Sequence, residues 1–206
     1  MLLERVENET HCLDIYIDQT PEDPRNWDNL GTMVCYHPLY VLGDVEPSDI
    51  AKFNPEHYDN FLQWMYEEVV IPNGGESSII FLPLYLLDHS GLSIKTTPFR
   101  MPRDEGQVGF IYVTQETLDK ENLSDKTDDE IRKLLKDEVT IYCRYLSGDV
   151  YGFTFYTKET CECCGTAIYT HKESCMGFYG TFKGMEEHLP DEGIKLLHQL
   201  KDRYWI

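Results

Sequence analysis

Between Thr127 and Gly148 the chain marks both ends of one amphipathic helix, which constrains the fold more than any other stretch. Thr127-Asp-Asp-Glu130 is a capping box: the threonine oxygen takes an orphan N–H of the first turn, and the glutamate returns to the cap's own N–H. Ile131, Leu134, Leu135, Val139, Tyr142, Tyr145 and Leu146 follow as one apolar stripe, and Gly148 is placed to close the helix in the left-handed conformation. Such a stripe needs a sheet or another helix to cover it. Strands are plentiful. Leu13-Asp-Ile-Tyr-Ile17 alternates with period two, placing Leu13, Ile15 and Ile17 on one face, and residues 32–36, 78–87, 107–113 and 151–156 are further strand candidates. Pro83 is expected to bend or bulge the second of these. An earlier helix is expected from Asn54 as N-cap, with Pro55 at its first position and Tyr58, Phe61, Leu62, Met65 and Val69 on one side; a last helix covers about 191–204. These elements imply one α+β domain over residues 1–206. Its parts are a single mixed or mainly antiparallel sheet, two to three packed helices and a Cys-rich hairpin near residues 156–176.

Charge is distributed unevenly along this chain. Sixteen carboxylates against three basic residues fill positions 1–76, a net −13 of the total −19. A surface built from that segment repels nucleic acid, anionic membrane and acidic substrates, and attracts basic proteins or cations. Asp14, Asp18, Glu22, Asp23 and Asp28 cluster in sequence, and Glu46, Asp49, Glu56, Asp59, Glu67 and Glu68 form a second set; these are the candidate partner-binding residues. Duplex DNA carries one charge per ~1.7 Å of axis, so these carboxylates gathered on one face would approach about half its linear density. Spread evenly, they would only keep the protein soluble. No apolar run approaches the ~20 residues of a membrane span, and the first residues lack a secretory signal. A soluble, cytoplasmic chain is expected, and with seven cysteines, an odd number, its thiols are expected to be reduced.

The strongest local chemical signal is Cys161-Glu-Cys-Cys164-Gly165, followed by His171 and Cys175. A two-residue gap aims two thiolates at one ion, and glycine relieves the turn; His171 and Cys175 would complete a tetrahedral set, with Cys163 as an alternative ligand. Such a closed site would hold a structural zinc ion. A loop of reduced thiols between two strands is the competing reading.

An enzymatic alternative draws on Cys35 and His37, which share one face of a strand as a candidate thiolate–imidazole pair, with Asp88 and His89 from a neighbouring strand end. Adjacent side chains in an extended segment point to opposite faces, which counts against a triad made by Asp88-His89-Ser90 alone. The chain has no Walker loop, dinucleotide fingerprint or aspartate-rich calcium loop.

Five runs occur in order: Trp27-Asp-Asn-Leu-Gly-Thr-Met-Val-Cys35, Asp88-His-Ser-Gly91, Gly106-Gln-Val-Gly-Phe-Ile-Tyr-Val113, Tyr145-Leu-Ser-Gly-Asp-Val-Tyr-Gly152 and Ser174-Cys-Met-Gly-Phe-Tyr-Gly180. Together, over roughly residues 13–180, they resemble a protein family carried by bacteriophages, plasmids and other mobile elements, to which no chemistry is assigned. Where that family tends to have Pro-Trp-Asp-Ser, this chain has Pro102-Arg-Asp-Glu105. The resemblance implies a habitat, mobile DNA in a bacterial cell, and carries over no catalytic residue. Habitat and charge together suggest a non-enzymatic accessory protein that binds a basic, nucleic-acid-handling host protein. Its concrete form is an anti-restriction or anti-CRISPR inhibitor acting as a DNA-like decoy. A small hydrolase using Cys35, His37, Asp88 and His89, or a virion or assembly protein, are the alternatives.

Overall fold

The computed structural model describes residues 1–44, 61–89, 91–100 and 105–200. In chain order its elements are β1 (Leu2–Glu7), β2 (His11–Ile17), β3 (Thr32–Cys35), α1 (Phe61–Met65), β4 (Ile79–Asp88), β5 (Leu92–Lys95), β6 (Glu105–Thr114), α2 (Gln115–Lys120), α3 (Asp128–Ser147), β7 (Val150–Thr160), β8 (Ala167–Tyr179) and α4 (Asp191–Leu197). The class is α+β. Where the sequence suggests a single sheet, two four-stranded antiparallel sheets form, ordered β1-β2-β7-β8 and β3-β6-β4-β5. Each belongs to its own compact unit: Met1–Glu22 with Gly148–Ile206, and Asp23–Ser147, which enters the chain between β2 and β7. Period-two alternation finds strands but does not say which strand pairs with which, so the partition is not visible in the sequence.

In the first unit, Leu13 and Ile15 of β2 and Phe153 and Phe155 of β7 share one face of the sheet. They pack on Phe182 and Met185 of a 3-10 segment (Phe182–His188) and on Leu196 and Leu197 of α4. The opposite face of β2 carries Cys12, Asp14 and Tyr16. Strand β8 is mostly exposed along its length. The last helix is shorter than expected: α4 ends at Leu197 and gives way to a 3-10 turn (His198–Leu200), and Tyr204 lies outside the described residues.

In the second unit both faces of the sheet are covered. Met33, Cys35, Leu84, Ile111 and Val113 pack against Ile131, Leu135, Val139 and Tyr142 of α3. Val34 and Phe110 face the other way, onto Trp64 and Met65 of α1 and Val69 and Val70 of the π-helical turn (Tyr66–Val70) that continues it. Burial on both sides explains why β4 reads as an almost unbroken apolar run instead of alternating. The N-terminal part of the expected first helix, Asn54 to Tyr58, lies outside the described residues.

Two details differ from expectation. The register of β4 against β6 shifts between Leu84 and Tyr85, not at Pro83. Pro83 is tolerated because β5 pairs with β4 only from Tyr85 to Asp88, so no second ladder asks for its missing N–H. Nearby, the carbonyl of Phe81 accepts a hydrogen bond from Nη1 of Arg132 at 3.0 Å. The stripe on α3 is also narrower than its spacing suggests, since Leu134 is 37% exposed.

The helix termini follow the sequence. Thr127 N–H donates to Glu130 Oε2 at 2.9 Å, Glu130 N–H donates to Thr127 Oγ1 at 3.4 Å, and Gly148 has φ 74°. The Thr127 N–H, and then its hydroxyl, hold the Glu130 carboxyl below the usual carboxylate range. A carboxyl depressed in the folded state stabilises at pH above its unfolded value of about 4.3 and loses that contribution as pH falls through the folded value. Glu130→Gln, which removes the carboxylate these donors stabilise, is therefore expected to lower the urea midpoint at pH 7 and to shrink the difference from wild type below pH 4. Denaturation series at both pH values check this. No helix among the described residues is long and apolar enough to cross a membrane.

Candidate metal centre

β7 and β8 form one long hairpin whose last ladder pair is Thr160 with Ala167. The connecting turn closes on itself: Cys161 N–H donates to the Thr166 carbonyl at 2.9 Å, and Gly165 N–H donates to the Cys161 carbonyl at 2.8 Å. Gly165 has φ 70°, a conformation in which a side chain would be strained. Folding the turn this tightly gathers three thiols. The Sγ atoms of Cys161, Cys163 and Cys164 lie within 4.8 Å of one another, with Cys161 half-buried and the other two exposed.

Their mutual polarity separates them. Cys161 and Cys163 approach to 2.9 Å between sulfurs, and the Cys164 thiol donates to Thr166 Oγ1 at 3.2 Å. Hydrogen bonding from the Cys163 thiol, then from its N–H, brings Cys161 down to about 7. Hydrogen bonding with Thr166 lowers Cys164, whereas proximity to the Cys161 sulfur raises Cys163. Tetrahedral coordination with Zn–S of about 2.3 Å places sulfurs about 3.8 Å apart. The cluster spans that separation, and Cys161 and Cys163 would open by about 1 Å to reach it. The three thiols can hold a metal ion.

The ligand set expected from spacing is only partly gathered. Cys161 and Cys164 converge, and Cys163 is a full member. His171 and Cys175 are not at the turn: in the ladder they face Tyr156 and Phe153. At about 3.3 Å per residue, Cys175 sits more than about 20 Å along β8 from the tip. The His171 ring meets Tyr156 edge-on at 6.1 Å, and the Cys175 thiol donates to the Met176 carbonyl at 3.7 Å. Spacing alone does not say where the hairpin turns: β8 begins at Ala167 and continues past residue 171 in the ladder, with a register shift beside His171.

Of the four residues of the enzymatic alternative, Cys35 is set apart by burial. Cys35 is buried beneath α3, and desolvation pushes its thiol up to about 12. His37 stacks on Tyr40 at 4.8 Å and accepts the Leu39 N–H at 3.2 Å, while the Tyr40 hydroxyl donates to Asp88 at 2.8 Å. His89 N–H closes a turn onto the Gly91 carbonyl at 3.3 Å. Tyr40 thus links His37 with Asp88, and the sealed thiol is a core residue. Cys12 is also buried, and its thiol is raised to about 11, first by desolvation. Alkylation at pH 7.5 read by mass spectrometry is therefore expected to modify Cys161 and Cys164 first, then Cys163, and to spare Cys12 and Cys35 until urea unfolds the protein.

Of the acidic candidates, Asp14 is not a surface residue. It is 1% exposed and takes a bidentate pair from Arg5 Nε and Nη2, both at 2.6 Å, plus the Tyr16 hydroxyl at 3.1 Å. Its charge is satisfied internally. Asp18 caps the Thr20 N–H, and Asp23 caps the Arg25 N–H at the start of a 3-10 turn. Glu22, Asp28, Glu67 and Glu68 are exposed, with Glu67 accepting from Gln63. Asp18 and Glu22 belong to the first unit; Asp23, Asp28, Glu67 and Glu68 belong to the second. Glu46, Asp49, Glu56 and Asp59 lie outside the described residues.

One feature of the second unit escaped sequence reasoning altogether. The Arg25 guanidinium, with its side chain 4% exposed, bridges Asp44 and Glu138. The available signal was its rarity, since Arg25 is one of three basic residues in positions 1–76.

Compared with known proteins, the chain matches no family model, no curated protein and no solved structure.

Proposed function

We propose that this is a non-enzymatic binding protein whose β7–β8 turn takes up zinc through Cys161, Cys163 and Cys164. The observation that carries this reading is the convergence of three sulfurs within 4.8 Å on one turn closed by its own hydrogen bonds. Thiolates suit a borderline-soft cation, and calcium or magnesium would ask for oxygen ligands instead. Three thiolates overcompensate a divalent charge, so the ion's role here is to pin the hairpin tip rather than to drive chemistry. The fourth position is left to solvent or to a side chain of whatever docks there. Titration against a competing chelator is expected to give one zinc per chain, with proton release and a raised melting temperature. An absence of binding at micromolar zinc under reducing conditions would sink the proposal.

Charge favours a second reading of what the protein docks on. With a net charge of −19 and Glu22, Asp28, Glu67 and Glu68 exposed, a basic, nucleic-acid-handling protein of the host is the fitting partner. Carboxylates would pair with the arginines and lysines that normally hold phosphates, as an anti-restriction or anti-CRISPR decoy does. Asp14 drops out of the candidate set, and the exposed described members that remain are Glu22 in the first unit and Asp28, Glu67 and Glu68 in the second, each unit taken by itself. The test is a purified basic nuclease captured on the immobilised protein at about 50 mM salt, then challenged with 200 mM salt and with duplex DNA. Release by both is expected; retention indifferent to DNA would remove the decoy reading.

A further inference from the structure

In a chain this acidic, one groove runs against the overall sign. It lies in the second unit, between the edge strand β5, residues 96 and 99 beyond it, and one face of α3. Its volume is about 480 Å³, within the usual small-molecule range of about 300–1,000 Å³. Three cations, Lys95, Lys136 and Arg144, line it, and among the described residues its lining holds no carboxylate.

The lining follows from the sequence. Lys136, Val139, Thr140, Cys143 and Arg144 fall on one face of α3, spaced three and four residues apart. Val139 seals the floor together with Ile94 of β5, which places the cationic ends above an apolar base. Phe99 forms a wall, with Lys95 Nζ held 3.9 Å from its ring centroid. Ser93, Thr96 and Thr140 add hydroxyls. Among the described residues neither Lys95 nor Lys136 is in an ion pair with a carboxylate. Asp137 neighbours Lys136 on α3 but does not line the groove, and charges farther away than the Debye length of about 8 Å at physiological ionic strength are screened from it.

We infer that this groove binds a small organic anion that joins a phosphate to a flat ring, of the size and chemistry of a mononucleotide. The cations and hydroxyls take the phosphate, and Phe99 and Cys143, the partly exposed apolar residues of the lining, supply the surface for the ring. The pairing of functions is what distinguishes the site: a bare phosphate would leave the apolar half uncovered, and an uncharged nucleoside would leave Lys95 and Lys136 without an anion.

Isothermal titration with AMP, inorganic phosphate and adenosine at 0.15 M salt tests this. AMP is expected to bind more tightly than either fragment. Lys136→Glu is expected to weaken AMP at least about tenfold, the scale of losing one charge-assisted hydrogen bond. Lys120→Glu makes the same charge change on α2, outside the groove lining, and is expected to leave the affinity within about twofold. Both lysines are exposed, so neither variant threatens the fold. Failure of AMP to bind, equal loss in both variants, or phosphate binding as tightly as AMP would each overturn the inference.

Discussion

Replacing Arg25 by alanine is expected to destabilise the Asp23–Ser147 unit by about 3–5 kcal/mol, the scale of removing one partner from a buried ion network. Its Nε and Nη2 donate to the two oxygens of Asp44 at 2.6 and 2.7 Å, Nη1 donates to Glu138 at 3.1 Å, and Nη2 also reaches the Gly31 carbonyl at 2.6 Å. The carboxylates have second tasks. Asp44 accepts the Met33 N–H at 2.6 Å, and Glu138 accepts the Leu30 N–H at 2.7 Å. The network therefore fastens the segment before β3, β3 itself and α3 to one guanidinium. Removing it leaves two like charges held close by backbone donors, with no cation between them. Asp44 and Glu138 are 24% and 16% exposed, so water relieves part of the penalty and the lower end of the range is expected. Arg25→Lys keeps the charge but cannot span both carboxylates with a planar fork, and should fall between. Urea unfolding measures all three proteins; an alanine variant within about 1 kcal/mol of wild type would show the network to be incidental.

The second large effect concerns the thiol turn. Cys161→Ser, Cys163→Ser and Cys164→Ser are each expected to weaken zinc by more than about 100-fold, beyond the 10–100-fold typical of outer-shell partners. His171→Ala and Cys175→Ser are expected to change it less than about twofold, because ladder position keeps both away from the tip. These two variants separate the observed site from the one suggested by spacing. If either abolished binding, β8 would have to bend or a second chain contribute, and the three-thiol account would fail.

Legibility in the sequence tracked how local the determining interaction was. The capping box and closing glycine of α3 involve neighbours within one turn, so Thr127, Glu130 and Gly148 announced themselves. The alternation of β2 was equally plain, since Leu13 and Ile15 face the core as expected. What stayed hidden depended on partners far along the chain. Arg25 reaches Glu138, more than a hundred positions away, and Asp14 finds Arg5 across a strand pair that no periodicity specifies. Asp14 was read as surface charge because an isolated aspartate in a strand resembles a solvent-facing one; only the bidentate arginine beside it makes burial tolerable. The cysteine turn lay between these extremes. Its Cys-x-x-Cys-Gly core was legible, but the role of Cys163 and the exclusion of His171 and Cys175 required knowing where β8 begins.

X-ray absorption at the zinc edge on the reconstituted full chain addresses the central claim most directly, because it counts sulfur neighbours. The expected shell is three sulfurs at about 2.3 Å and one nitrogen or oxygen at about 2.0–2.1 Å, unchanged in Cys175→Ser. A shell of four sulfurs, or one dominated by nitrogen and oxygen, would contradict the three-thiol turn as the metal centre of this protein.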